Sequence, residues 1–91
     1  MRVLTTDVYC AAFLITQGDR LIDLFVDRSG GKPAGTFVLE GNEVLEHQEA
    51  YSRGRAMASV KAIRDGVTLL RGELARALGQ AAERRSHSAT R

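Results

Sequence analysis

The chain has 91 residues, 44% of them hydrophobic, with 13 basic and 11 acidic side chains and a formal net charge of +2. That length bounds it to one domain with a small core, and its ordinary apolar and charged fractions favour a folded domain over a disordered one. No apolar run approaches the roughly 20 residues of a membrane span, and the lone Cys10 has no partner within the chain for a disulfide.

Near the N-terminus, Thr6 and Asp7 precede the apolar run Val8 to Ile15. The pattern predicts a short, largely buried helix with Thr6 as N-cap, Asp7 near the positive end of the helix dipole, and Gly18 as the stop. Within that run Cys10 reads as a small core hydrophobe. Asp7 and the lack of a small-residue cleavage pattern argue against a secretory signal, so a cytoplasmic protein is expected.

Leu21 to Val26 reads as a strand, with Ile22, Leu24 and Val26 on one face and Leu21, Asp23, Phe25 and Asp27 on a more polar one. Residues 28–35 are turn material, and Thr36 to Glu40 is the return strand, directing Phe37 and Leu39 to the core. Asn42 is placed to cap a helix over Glu43 to Tyr51. The stretch Ser52-Arg53-Gly54-Arg55 breaks that helix.

The longest helix spans Ser59 to Leu78. Val60, Ile63, Val67, Leu70, Leu74 and Leu78 recur every three or four residues and so share one side. Ser59 is the expected N-cap and Gly79 the expected stop. Gly66 and Gly72 each cost about 1 kcal/mol relative to Ala inside a helix, so packing must hold it. Residues 80–85 are open to extending the helix as a frayed end and residues 86–91 have nothing to bury, so 80–91 read as a basic, disordered tail behind a domain of residues 1–79. The expected fold is α+β in the order α-β-β-α-α, an antiparallel hairpin packed on helices. An isolated hairpin leaves both edges unpaired, which points to a homodimer.

Charge is unevenly placed. Residues 1–50 carry four basic and eight acidic side chains, a net −4, whereas residues 51–91 carry nine and three, a net +6. Arg53, Arg55, Lys61 and Arg64 gather about the start of the long helix, and Arg71 lies two turns further on. Amides at a helix N-terminus joined by guanidinium groups suit phosphate oxygens. Arg84 and Arg85 in the tail and Lys32 at the hairpin tip are further candidates for nucleic-acid contact. A solvated basic face pairing with Glu43, Glu46 or Glu49 is the plainer account of the same residues. Among the aromatic residues, Phe13 and Phe37 read as core, while Phe25 is placed for an interface or for stacking.

His47 and His87 lack the spacing to cysteines or carboxylates of a zinc site. Residues 30–33 are not a nucleotide-binding loop, and Asp23, Asp27, Glu40 and Glu43 suggest no pocket for acid–base work. Neither metal, cofactor nor enzymatic activity is expected.

Asp7-Val8-Tyr9-Cys10-Ala11-Ala12-Phe13-Leu14, Gly18, the Phe-centred strand Thr36 to Glu40, and the helices containing Tyr51 and Val60 to Leu78 together resemble a small bacterial and phage family, a domain of unknown function. The resemblance covers about residues 5–78 and leaves out Gly30 to Pro33 and the Arg-rich tail. Members occur in bacterial chromosomes, phages and mobile elements, and the family has no established chemistry, so it assigns no functional residue. The expected function is a small non-catalytic protein that contacts DNA or RNA phosphates. The alternative is an adaptor or oligomeric accessory subunit that docks an acidic protein partner.

Overall fold

A computed structural model describes residues 1–27 and 34–89, with side chains for residues 1–26 and 34–79. The elements run β1 (Arg2–Thr5), α1 (Val8–Thr16), β2 (Arg20–Asp27), β3 (Ala34–Glu40), α2 (Val44–Ser52) and α3 (Val60–Ala89). The protein is a small α+β domain whose three-stranded antiparallel sheet has the order β1-β3-β2. The expected order lacked β1. Only Val3 of that strand is buried, while Arg2 and Leu4 face outward, so the segment carries almost no hydrophobic signal of its own. Its pairing of Val3 with Leu39 and Thr5 with Phe37 makes β3 the central strand.

Helix α1 forms because both ends are satisfied locally. Asp7, not Thr6, is the N-cap: its Oδ1 accepts hydrogen bonds from the amides of Tyr9 (2.9 Å) and Cys10 (3.3 Å). At the other end Gly18 adopts φ +95°. Its N–H donates to Ile15 and the following N–H, of Asp19, donates to Leu14, closing the helix in a Schellman motif. Cys10 to Leu14 are all buried, and burial pushes the Cys10 thiol pKa up.

The β2 strand departs from simple alternation. Leu21 pairs with Leu39 and Asp23 with Val38, so Ile22 is an extra, bulged residue. The bulge exchanges the faces expected before it: Leu21 packs on the core with Leu24, and Ile22 is turned outward. At the strand ends Glu40 sits in register between Arg2 and Arg20 and pairs with both, at 2.9 and 3.4 Å. The Arg2 hydrogen bond holds the Glu40 carboxyl below its usual range.

Helix α2 begins after Glu43, which makes no side-chain cap, and not after an Asn42 cap. It ends in a second Schellman closure. Gly54 has φ +74°, its N–H donates to Tyr51, and the Arg55 N–H donates to Ala50. Near its start, the His47 Nδ1 lies 2.7 Å from the Oδ2 of buried Asp19, which ties α2 to the corner between α1 and β2.

Helix α3 is capped by Ser59, whose Oγ accepts from the Ala62 amide at 3.0 Å. Val67 and Leu70 are buried against α1, the element with which α3 packs most extensively. Gly66 lets the two helices close: a Cβ there would lie 3.1 Å from the Cβ of Ala12. Two expectations fail on this helix. Val60 is exposed at its first turn, and the backbone runs helically through Gly79 to Ala89 instead of stopping. A glycine stop requires a left-handed backbone, and Gly79 has none. The core joins Val3, Phe37 and Leu39 of the sheet to α1, Val44 of α2 and Val67 and Leu70 of α3. No helix among the described residues is long and apolar enough to cross a membrane.

Candidate nucleic-acid interface

The joint between α2 and α3 holds the basic residues that the sequence singles out. A cleft of about 260 Å³ opens there, lined by Tyr9, Phe13, Tyr51, Ala56, Ala58 and Ile63. Three elements build it. Tyr9 and Phe13 are one turn apart on α1, Tyr51 is on the last turn of α2, and Ile63 is on the first turn of α3. Ala56 and Ala58 come from the connecting segment, whose path is set by the turn at Gly54 and by the Ser59 cap.

One wall is firmly held. The Tyr51 hydroxyl donates to Asp7 Oδ2 at 2.8 Å, and its ring centroid lies 6.2 Å from that of Phe13. That hydrogen bond, followed by burial, pushes the Tyr51 phenol up to about 12. Asp7 therefore does two tasks, capping α1 with one oxygen and anchoring α2 with the other. The other wall is open: Tyr9 is 52% exposed, and Met57 and Val60 are exposed nearby in the chain.

The basic residues adjoin this cleft in sequence and do not line it. Arg53 lies two residues after Tyr51, Arg55 precedes Ala56 and Arg64 follows Ile63, whereas Lys61, two residues before Ile63, falls on another side of α3. All four are exposed. Arg53 pairs with Glu49 at 3.0 Å and Lys61 with Asp65 at 3.6 Å. Both are exposed pairs of the kind worth well under 1 kcal/mol, which a phosphate can displace. Among the described residues, Arg55, Arg64 and Arg71 make no ion pair. Arg64 and Arg71, seven residues apart, share one side of α3 about 10.5 Å apart along its axis. The Ser59 hydroxyl already takes one amide of the helix N-terminus, so the guanidinium groups, more than the amides, supply anion-binding capacity here.

Not every candidate is brought to this joint. Lys32 lies outside the described residues. Arg84 and Arg85 are on the helical backbone of α3, and their side chains lie outside the described set. The expected pairing of the basic face with α2 carboxylates is present once, at Arg53–Glu49, while Glu43 lies 3.8 Å from His47 instead. Of the hairpin carboxylates, Glu40 pairs with Arg2 and Arg20, and the Asp27 side chain lies outside the described set. Among the described residues no cluster of His, Cys, Asp or Glu is placed to hold a metal ion.

No family model, curated protein or solved structure matches this chain. The interface is accordingly read from its own residues. Tyr9 is the residue that sequence reasoning passed over. It sits in an apolar run that reads as buried throughout, and only its position one turn before Phe13, on the side facing the α2–α3 joint, leaves half of it in solvent.

Proposed function

We propose that the protein is a non-catalytic nucleic-acid-binding module. Arg53, Arg55, Lys61 and Arg64 neutralise phosphates around the cleft, while Arg71 continues the track along α3, with Arg84, Arg85 and Lys32 as outlying contacts. One observation supports the reading: Arg53, Arg55 and Arg64, gathered by charge alone, adjoin in sequence the residues that line a cleft with an exposed tyrosine. Every base has a π-face, and a base stacked on an aromatic ring contributes about 1–3 kcal/mol. An exposed Tyr9 ring with arginines close along the chain therefore suits unpaired nucleotides better than a duplex. Sequence preference should be weak, because phosphate contacts carry no base information. In this reading the protein works in the cytoplasm as a homodimer.

A second reading is favoured by Met57 and Val60, which are 86% and 75% exposed beside the same arginines. An acidic, amphipathic protein segment would match both the charge and the apolar patch. Titration with single- and double-stranded DNA and RNA at two salt concentrations separates the two. The proposal expects tighter single-strand binding that falls with salt, with a slope near −0.7 per neutralised phosphate. Arg55→Ala/Arg64→Ala should flatten that slope, and Tyr9→Ala should weaken binding roughly 5- to 150-fold with the slope unchanged. No binding to any nucleic acid at low salt refutes the proposal and leaves the protein-partner reading.

A further inference from the structure

The two short helices are held unequally. Five of the nine residues of α1 are buried, but Val44 alone is buried among the nine of α2. That anchor sits at the start of α2, and one turn on His47 meets Asp19 Oδ2 at 2.7 Å, on a side chain only 3% exposed. From Gln48 to Arg53 no residue is buried. That end is held by the Tyr51 ring against Phe13 and by the solvent-exposed hydrogen bond from Tyr51 to Asp7.

The chain after α2 leaves that end room to move. Gly54 has φ +74°, and beyond Arg55 the residues Ala56, Met57 and Ala58 make no backbone hydrogen bond among the described residues. The next fixed point is the Ser59 cap of α3. Of the whole stretch from Ser52 to Ser59, every residue except Ala56 is exposed.

We infer that α2 is a lid on the cleft of about 260 Å³, hinged at Val44 and His47 and latched by the Tyr51–Asp7 hydrogen bond. In the open form Tyr51 leaves Asp7 and Phe13, residues 56–58 take up the displacement, and the cleft loses one wall. The sheet, α1 and α3 stay in place. Asp7 keeps its other oxygen on the Tyr9 and Cys10 amides, so releasing the latch leaves α1 capped. A helix of nine residues does not hold its hydrogen bonds in water without a surface to pack on, so the released turns melt. Opening gives up one aromatic contact and one hydrogen bond, whereas unfolding gives up the core, so the lid opens far more often than the protein unfolds. The lid belongs to the protein alone and stands apart from the nucleic-acid reading. Any ligand that touches both Tyr9 and Tyr51 binds the closed form, which couples occupancy to closure.

Native-state hydrogen exchange of the full chain, followed by NMR at low urea concentrations, tests the lid. The amides of Arg53 and Arg55, bonded to Glu49 and Ala50, report the latched end, and the amide of His47, bonded to Glu43, reports the hinge. Leu14, buried inside α1, reports the body of the fold. Arg53 and Arg55 should open with a small but finite urea dependence, because opening exposes the facing surfaces of Tyr51 and Phe13. His47 and Leu14 should open only with the full dependence of unfolding. Tyr51→Phe keeps the ring and removes the latch, and should speed exchange at Arg53 and Arg55 about 5-fold. Gly66→Ala, which strains the crossing of α1 and α3, should speed exchange at Leu14 and leave Arg53 and Arg55 unchanged. No urea dependence at Arg53 and Arg55 would mean simple fraying of a helix end, and full dependence would mean that α2 opens only with the whole fold. Either result overturns the lid. Unchanged exchange at Arg53 and Arg55 in Tyr51→Phe overturns the latch, and a His47 amide that opens together with Arg53 overturns the hinge.

Discussion

Gly66 and Gly72 both lie inside α3, and the same substitution should move stability in opposite directions at the two. Gly72 is exposed, with nothing within 4 Å of an added Cβ. Gly72→Ala should therefore recover the full helix-propensity difference, about 1 kcal/mol. Gly66 is buried at the crossing with α1, where the added carbon would lie 3.1 Å from the Cβ, 3.3 Å from the Cα and 3.4 Å from the carbonyl oxygen of Ala12. Two of those atoms are backbone, which cannot rotate away, so α1 and α3 must separate by a few tenths of an ångström. Overpacking of that kind costs roughly 1–3 kcal/mol, which outweighs the propensity gain of about 1 kcal/mol. The expected outcome is a loss of about 1 kcal/mol for Gly66→Ala, and a gap of about 2 kcal/mol between the variants. Urea titration at one protein concentration measures it as midpoints displaced to either side of the wild type with a common m-value. Thermal melts should separate the two by about 8–16 °C for a domain of this size. A Gly66→Ala protein as stabilised as Gly72→Ala would mean that α1 and α3 do not approach closely at Ala12.

Two further outcomes follow from polar contacts. His47→Ala strips the partner from Asp19, whose side chain is only 3% exposed, and should lower stability by about 2 kcal/mol in urea titration. Glu43→Ala removes only a 3.8 Å exposed contact and should change stability by less than about 0.5 kcal/mol; equal effects would refute the buried-pair reading. Tyr51→Phe should cost about 1 kcal/mol at neutral pH by removing the hydrogen bond to Asp7. The fold holds the Tyr51 proton more tightly than the unfolded chain does, with the phenol raised from 10.0 to about 12. Its contribution is thus complete below pH 10.0 and lost as pH rises toward about 12. The variant should lose less stability across that window, followed by circular dichroism against pH, and an unchanged alkaline profile would count against the hydrogen bond.

Much of this architecture is legible in local pattern. The apolar run after Asp7, the Phe37 and Leu39 alternation, and the spacing of Ile63, Val67 and Leu70 each report a burial that a single element decides for itself. The misplaced features depend on neighbours. β1 is a strand because β3 lies beside it, and four residues with one inward side chain do not announce that. The bulge at Ile22 arises from register with Val38 and Leu39, and it exchanged the faces read for Leu21 and Ile22 while leaving Asp23 to Val26 as alternation gave them. Asp7, and not Thr6, is the cap, and its second oxygen serves Tyr51, a residue far along the chain. Gly79 looked like a stop, yet a glycine ends a helix only where the backbone turns left-handed, and composition alone does not report that. At the candidate interface, charge alone picked out the arginines, while the cleft lined by Tyr9, Phe13 and Tyr51 emerged only when α1 was laid against the α2–α3 joint.

The buried thiol in the middle of α1 makes the protein its own reporter of opening. Cys10 is the sole cysteine, it is 4% exposed, and burial raises its pKa, so the folded protein holds little thiolate. A thiol reagent can therefore react at an appreciable rate only through conformations in which α1 has left the sheet. For a domain stable by about 5 kcal/mol, such conformations make up roughly one molecule in five thousand. The ratio of labelling rates in native and denaturing buffer then reads the free energy of freeing α1 directly, with no added probe. A ligand at the α2–α3 joint that holds Tyr9 in place should slow that labelling in proportion to its occupancy, so binding becomes visible from inside the core.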